Sequence, residues 1–312
     1  MKVLSDKVAL ITGAGSGIGR ATAVALARAG CHVALNDVRE DGLRETERLA
    51  AAYRRRVLSL AADIATESDA TSMCARVLDH FGAVDILVNN AGVAAGGRMQ
   101  DVPIENWRWV MDVNLWAHVY TVRALLPRML ERGQGHLVHV ASGAGLLALG
   151  PLLPYCVSKF AVVGLAEALA AQLRAHGVGV TVVCPGPVHT ALIESARIAG
   201  SPDRVASLHS VASYLVARAV TPEKVADGIV AAIRANRFLL HTHAVIRLLT
   251  IVHALWPELA VRINSVVTEY LTGAWGDEAE ARGGAMPLVS DAAQPGTRRC
   301  HAWPGRAGET VH

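Results

Sequence analysis

The stretch Thr12-Gly13-Ala14-Gly15-Ser16-Gly17-Ile18-Gly19 constrains this chain more than any other. Before it stands an apolar run, Val8-Ala9-Leu10-Ile11, that reads as a buried parallel strand. After it comes Ala21 to Ala29, a run of strong helix formers ended by Gly30. A glycine-rich turn between strand and helix is built to receive a pyrophosphate. Gly13 permits the tight turn, Gly17 lets backbone approach phosphate, and Gly19 lets the helix sit close on the strand. The free N–H groups at the helix start then face the anion. Alone, the same pattern also fits a glycine-rich turn that holds nothing, so the rest of the chain must decide.

Strands and helices alternate from there on. Strands are expected at Val33 to Leu35, Val57 to Ala62, Val84 to Val88, Leu137 to Val140, Val178 to Val183 and Phe238 to His241. Helices are expected at Asp41 to Tyr53, Glu67 to Phe81, a long region from Pro103 to Arg132, Pro154 to His176, and Pro222 to Asn236. This order predicts an α/β protein: a single doubly wound Rossmann-type domain with a parallel seven-stranded sheet over residues 1–243. A C-terminal helical extension should follow over 244–272, then a tail over 273–312. In such sheets ligands bind beyond the carboxyl ends of the strands. Asp37, Asp63, Asn90 and Ser142 each stand at such an end.

Composition narrows the class. The chain has 312 residues, 52% of them hydrophobic and 18% charged, which is globular and not disordered. The net charge of +3 comes without a long basic patch, which leaves nucleic-acid binding unsupported. Five cysteines, Cys31, Cys74, Cys156, Cys184 and Cys300, lack paired metal spacing and fit free thiols in a reducing cytosol. A first strand at Val8 leaves no room for a signal peptide, and no run of ~18 uninterrupted apolar residues occurs. A cytoplasmic location is the expectation.

Asp37 lies at the tip of the second strand, 18 residues after Gly19. A carboxylate there can accept from adenosine ribose hydroxyls and repel a 2′-phosphate, which favours NAD over NADP. Arg20 and Arg39 stand against this, since either could partner a phosphate. Asp63, at the next tip, could meet an adenine amino group or simply close a turn. Tyr155 and Lys159 are four apart on one helix and share a face. The ammonium is expected to lower the phenol from its usual value near 10 and make Tyr155 an acid/base near neutral pH. Ser142 can hydrogen-bond the same substrate oxygen. By itself such a pair is most often a surface contact; the glycine turn and Ser142 reverse that.

These elements together, with Asn89-Asn90-Ala91-Gly92, Asn114, Tyr155-Cys156-Val157-Ser158-Lys159 and Pro185-Gly186-Pro187-Val188-His189-Thr190, resemble the short-chain dehydrogenase/reductase family over Asp6 to about Phe238. The resemblance implies Tyr155 as proton donor and acceptor. It implies that Lys159 lowers the tyrosine's pKa and holds the nicotinamide ribose, and that Ser142 positions the substrate carbonyl. Asn114 would hold a water that links Lys159 to solvent. Contacts to the cofactor would come from Gly13, Ser16, Gly17, Ile18, Gly19, Asp37, Asp63, Ile64, Asn90, Ala91, Gly92, Pro185, Gly186, Val188 and Thr190, with Thr12 bracing the fourth-strand turn. The acidic Asp37 looks like the NAD-preferring members. A homodimer or homotetramer is implied.

Substrate choice is expected from a loop at about 187–220, carrying Leu192, Ile193, Ile198, Val205, Leu208, Val211, Tyr214, Leu215 and Val216. Leu146, Leu147, Leu149, Leu152 and Leu153 lie between Ser142 and Tyr155. So apolar a setting suits a small apolar alcohol or ketone, steroid-, retinoid- or long-chain-like, better than a polyol. Ala244 to Leu271 shows helical apolar spacing with a break near Pro257. A helix pair packed near the active site or on a partner subunit is the favoured expectation, and a monotopic membrane contact the second. His241, His243 and His253 lack an accompanying carboxylate or cysteine, so no metal is expected. Gly273 to His312 has the composition of a disordered tail. The function expected is an NAD-dependent oxidoreductase moving a hydride between such an alcohol and its ketone. The alternative is a non-catalytic NAD-binding regulator or scaffold on the same fold.

Overall fold

The computed structural model describes residues 1–192, 195–200 and 219–271. Most residues of the expected substrate loop, Val205 through Val216 among them, and the whole expected tail therefore lie outside the described residues. Seven strands form one parallel sheet: β1 (Val8–Thr12), β2 (His32–Asp37), β3 (Val57–Ala61), β4 (Ile86–Asn89), β6 (Gly135–Val140), β7 (Val178–Cys184) and β9 (Leu239–His241). Their order is β3-β2-β1-β4-β6-β7-β9. A two-stranded parallel piece, β5 (Ala95–Gly96) with β8 (Arg197–Ile198), lies apart. The order reverses between β1 and β4, and that switch point opens the crevice in which such sheets bind ligands.

Helices cover both faces. Alternate strand residues Ala9, Ile11, Val33, Leu35, Val88 and Val138 pack with α1 (Gly17–Arg28), α2 (Glu40–Ala51) and α7 (Pro222–Ala235). Their neighbours Leu10, Ala34, Leu87, Leu137 and Val182 pack with α3 (Glu67–Phe81), α5 (Ala117–Glu131) and α6 (Leu153–Leu173). A strand covered on both faces is apolar at consecutive positions, which is why Val8-Ala9-Leu10-Ile11, Val33-Ala34-Leu35 and Ile86-Leu87-Val88 read as runs without alternation. Leu10, Leu26, Ile86 and Leu137 are wholly buried, each contributing roughly 1.5–3 kcal/mol. Cys31, Cys74, Cys156 and Cys184 are free thiols within this core.

The long helical region expected from Pro103 to Arg132 is present, with a π turn inside it. The long helical region is α4 (Ile104–Met111), a π turn over Asp112–Trp116, and α5. α6 has the length and apolarity to cross a membrane, with 21 residues and a mean hydropathy of 1.5. Its inner face, through Val162, Ala166, Leu169 and Leu173, is instead part of the core. Beyond β9 come α8 (Ala244–Leu255) and α9 (Pro257–Leu271), which meet at Trp256 and Pro257. They touch the segment after β6. Ile246 stands against Gly143, His253 Nδ1 lies 3.2 Å from the Leu146 carbonyl, and Asn264 donates to the Ala148 carbonyl at 2.8 Å.

Candidate active site

The glycine turn is held from behind. The Thr12 hydroxyl accepts from the N–H groups of Asn90 at 2.9 Å and Ala91 at 3.0 Å. The Asn90 amide donates back to the carbonyls of Thr12 at 2.9 Å and Gly13 at 3.2 Å. Thr12 thus braces the turn after β4. The amide nitrogen of Asn90 does the same, where the resemblance implies a contact with the cofactor. Gly13 and Gly17 have φ of 62° and 52°, in the left-handed region. A Cβ on Gly19 would overlap the Gly13 carbonyl oxygen, so α1 can approach only where no side chain intervenes. A Cβ on Gly17 would come within 3.0 Å of Thr190 Cγ2, so the turn faces the loop after β7. Ser16 begins α1 without a side-chain cap bond, and no acidic residue lies in its first turn. Those first-turn N–H groups suit an anion. A dinucleotide pyrophosphate fits this cradle.

Asp37 closes the other side of the turn. Its Oδ2 accepts from the Gly15 N–H at 2.9 Å and its Oδ1 from the Arg39 N–H at 3.0 Å. Arg20 is bonded to the turn itself. Its guanidinium donates to the Gly15 carbonyl and to Thr46 Oγ1, the latter at 3.1 Å. Asp63 is exposed and closes a turn onto the Ala65 N–H at 3.0 Å, with Ile64 buried beside it. Across the cleft, the Pro185 carbonyl accepts from the Gly143 N–H at 2.7 Å, and the Gly186 N–H donates to Thr242 Oγ1 at 3.0 Å. Val188 is buried and bridges to Val220.

Tyr155 and Lys159 sit one turn apart on α6, 7% and 3% exposed. Lys159 Nζ donates to the Val140 carbonyl at 3.0 Å and lies 5.7 Å from the Tyr155 ring centroid. Ser142, at the end of β6, accepts from the Ala144 N–H at 3.1 Å, and its hydroxyl stands near enough to Tyr155 to pull the phenol's pKa down. Asn114 is carried inward by the π turn. Its Oδ1 accepts from the Val93 N–H at 2.8 Å, and its Nδ2 donates to the Val93 carbonyl and to Ser158 Oγ, both at 2.9 Å. Asn114 thereby ties the loop after β4 to α6. A Cβ on Gly92 would stand 3.4 Å from both Asn114 Oδ1 and Lys159 Nζ, so Gly92 lies where these two meet.

The electrostatics correct one expectation. The spacing of Tyr155 and Lys159 predicts a lowered phenol, but burial pushes Tyr155 up to about 12, with the Ser142 hydrogen bond pulling the other way. Burial also pulls Lys159 down to about 8. Loss of water penalises the charged form of each group, and the ammonium is turned to a carbonyl. In the protein without cofactor, burial therefore acts against the charged form of both groups.

A second buried pair escapes a reading by motif. His118 Nδ1 and His139 Nδ1 approach to 3.2 Å, and both side chains are buried. Burial holds both rings below their usual value; His139 and Lys159 lower His118 further. The available signal is that His118 follows Asn114 by one helical turn and that His139 interrupts an apolar strand. Around Tyr155 the walls are apolar. Ala94, Ala144 and Cys156 cluster with it, and Leu149, Leu152, Leu192 and Ala196 pack against them. A cavity of about 850 Å³ bordered by Gly135, His136, Val178 and Gly179 opens instead at the amino ends of β6 and β7, away from these groups.

A pyrophosphate cradle at the switch point of a doubly wound sheet, facing a buried phenol–ammonium pair, defines a dinucleotide-binding α/β protein. The short chain dehydrogenase family profile matches residues 7–199. "Probable oxidoreductase EphD" of Mycobacterium tuberculosis is 35% identical over 243 residues, which cover 74% of this chain and only 40% of that relative's length. The 1-deoxy-11-beta-hydroxypentalenate dehydrogenase of Streptomyces exfoliatus is 38% identical over 194 residues, covering 61% of this chain and 70% of its own. A crystal structure of a short-chain dehydrogenase/reductase from Burkholderia phymatum in complex with NAD matches with a TM-score of 0.78 and 32% identity, over 83% of this chain and 96% of that one. The chain belongs to the short-chain dehydrogenase/reductase family.

Proposed function

We propose that this protein is an NAD-dependent oxidoreductase that interconverts an apolar secondary alcohol and its ketone. One observation carries the reading: Tyr155, Lys159 and Ser142 converge at the carboxyl ends of the strands, across from the glycine cradle. When bound, NAD supplies the hydride acceptor and a positive charge that favours the phenolate. In the oxidative direction, Ser142 holds the reacting oxygen by a hydrogen bond while Tyr155, first deprotonated to the phenolate, takes the hydroxyl proton on Oη. Lys159 adds a second cation beside the phenol and a donor for a ribose hydroxyl. Asn114 keeps α6 and the loop after β4 in register. Asp37 supports NAD over NADP, because its carboxylate lies at the turn where a 2′-phosphate would be repelled and Arg20 is committed to bonds of its own.

The apolar cluster around Tyr155 supports an apolar substrate, and one relative is named for a hydroxylated compound. A homodimer or homotetramer belongs to the same reading. Val157 and Phe160 project from α6 at 46% and 38% exposure, suited to cover by another subunit. The test is a panel of secondary alcohols with NAD, followed by NADH absorbance. Turnover of an apolar member is expected. Tight NAD binding with no turnover of any member would favour a non-catalytic NAD-binding protein instead.

A further inference from the structure

Ten of the nineteen large hydrophobic residues exposed in the described chain lie between Val245 and Val266. α8 buries none of its residues. The side chains that α8 and α9 turn toward the rest of the protein include polar ones. His253 and Asn264 meet the carbonyls of Leu146 and Ala148, and Thr268 lies against Gly150. The outward side carries Leu248, Ile251, Leu255, Trp256 and Leu259, 48–61% exposed. Exposed Arg247, Glu258 and Arg262 stand among them, but the apolar residues outnumber them on the side where a surface helix in water is polar. At the amino end of α8, Arg237 and Arg247 line a cavity of about 600 Å³ with His241, Thr242 and His243. Arg247, Ile251 and Leu255 follow one another at four-residue steps, so the cation and the apolar stripe share a side.

We propose that α8 and α9 seat this protein on an anionic lipid surface, with the leucine-rich face in the acyl–headgroup boundary and Arg237 and Arg247 on headgroup phosphates. Charge complementarity selects lipid over a second copy of the chain. α8 itself has no acidic residue, so Arg237 and Arg247 at its amino end are matched by headgroup phosphates, and the exposed acid Glu258 stands at the other end of α8, at the start of α9. Trp256, at the joint of the helices, has the amphipathic ring favoured at headgroup level. The opposite, inward side of the same helices meets the segment from Gly143 to Gly150 that flanks the apolar cluster of Tyr155, so the seating would hold a lipid-dissolved alcohol one helix layer from the site. That last consequence rests on the proposed reaction; the seating does not, and vesicle binding is read without turnover.

The experiment is flotation of the full chain with vesicles of phosphatidylcholine alone and of phosphatidylcholine mixed with phosphatidylglycerol. Wild type should float with the mixed vesicles, less so as salt rises. Leu248→Ser with Leu255→Ser should cut partitioning about tenfold or more while leaving the thermal melt unchanged, because both side chains are already in solvent. Arg247→Gln should lose the preference for phosphatidylglycerol. Should the double variant melt early, quenching of tryptophan emission by brominated lipid, lost in Trp256→Phe, decides the same question. No flotation of wild type with either vesicle overturns the proposal, and so does undiminished flotation of a folded double variant. A dimer that the double variant splits, without flotation of wild type, overturns it in favour of a contact between copies.

Discussion

The Lys159 ammonium donates to the Val140 carbonyl at 3.0 Å, joining α6 to the end of β6 beneath Tyr155. It does so almost out of contact with water, and burial holds its pKa near about 8 against an ordinary 10.5. Below pH 8 the lysine is charged in both the folded and the unfolded chain, and the folded state bears the full desolvation penalty. Between pH 8 and 10.5 the folded state sheds its proton first, so stability rises. Above 10.5 the penalty is gone. Lys159→Met should therefore be more stable than wild type at pH 7, by about 1–3 kcal/mol after allowing for the lost hydrogen bond. The gap should close by pH 10. Urea unfolding at the two pH values checks it; a variant that is less stable at pH 7 reverses the sign.

Tyr155→Phe keeps the ring and its packing and removes the proton carrier. Turnover should fall by about 10² or more with dinucleotide affinity nearly unchanged. Single-turnover NADH formation and calorimetry measure the two separately. A phenylalanine variant at wild-type rate would send the proton elsewhere.

In the protein without cofactor, Tyr155 should stay neutral through the range in which exposed tyrosines ionise, since burial pushes it to about 12. Alkaline difference spectra of wild type and Tyr155→Phe should coincide up to about pH 10.5 and diverge above it. Because the unfolded tyrosine ionises first, this residue also lowers stability as pH rises from 10 toward 12.

Asp37→Asn retains an oxygen to accept from the Gly15 N–H but loses the charge. NADP binding should strengthen relative to NAD by about tenfold or more, the scale of one nearby unit charge in a partly solvated site. An unchanged ratio by calorimetry would assign the preference to another group, with the exposed Arg39 the first candidate.

Gly19→Ala would force a methyl into the Gly13 carbonyl. It should cost about 1–3 kcal/mol and abolish dinucleotide binding. Gly164→Ala, also in a helix but with nothing within 4 Å of its added carbon, should be neutral or stabilising by up to about 1 kcal/mol. Paired thermal melts distinguish steric closure of the cradle from a general dislike of substitution in helices.

Much of the scaffold was legible because its signals are local. Each strand of the main sheet is an apolar run ending in a polar or glycine-containing turn, and α3 begins at Thr66 with a capping hydroxyl and ends at Gly82 in the left-handed region. The break between α8 and α9 falls at Pro257, which cannot continue the first helix. The π turn at Asp112–Trp116 was not legible. No residue in it breaks a helix, and it swings Asn114 toward Val93 and Ser158, partners 21 and 44 residues distant in sequence. The His118–His139 pair was hidden for the same reason, as its members belong to a helix and a strand that meet only in the folded sheet.

The sequence by itself determined the order of strands and helices, the glycine turn, the acid at the tip of β2 and the shared face of Tyr155 and Lys159. All of these follow from chain periodicity and from the steric limits of single residues. Only the tertiary structure decided how those groups are charged and what they touch. Tyr155 and Lys159 lose their water to residues far away in sequence, so burial opposes the charged form of each, which the spacing of the pair does not reveal. Likewise, apolar spacing made α8 and α9 helices, but their packing onto the segment after Ser142 chose which face looks outward. Desolvation and facing are properties of the whole surface that surrounds a side chain, and a sequence window does not contain that surface.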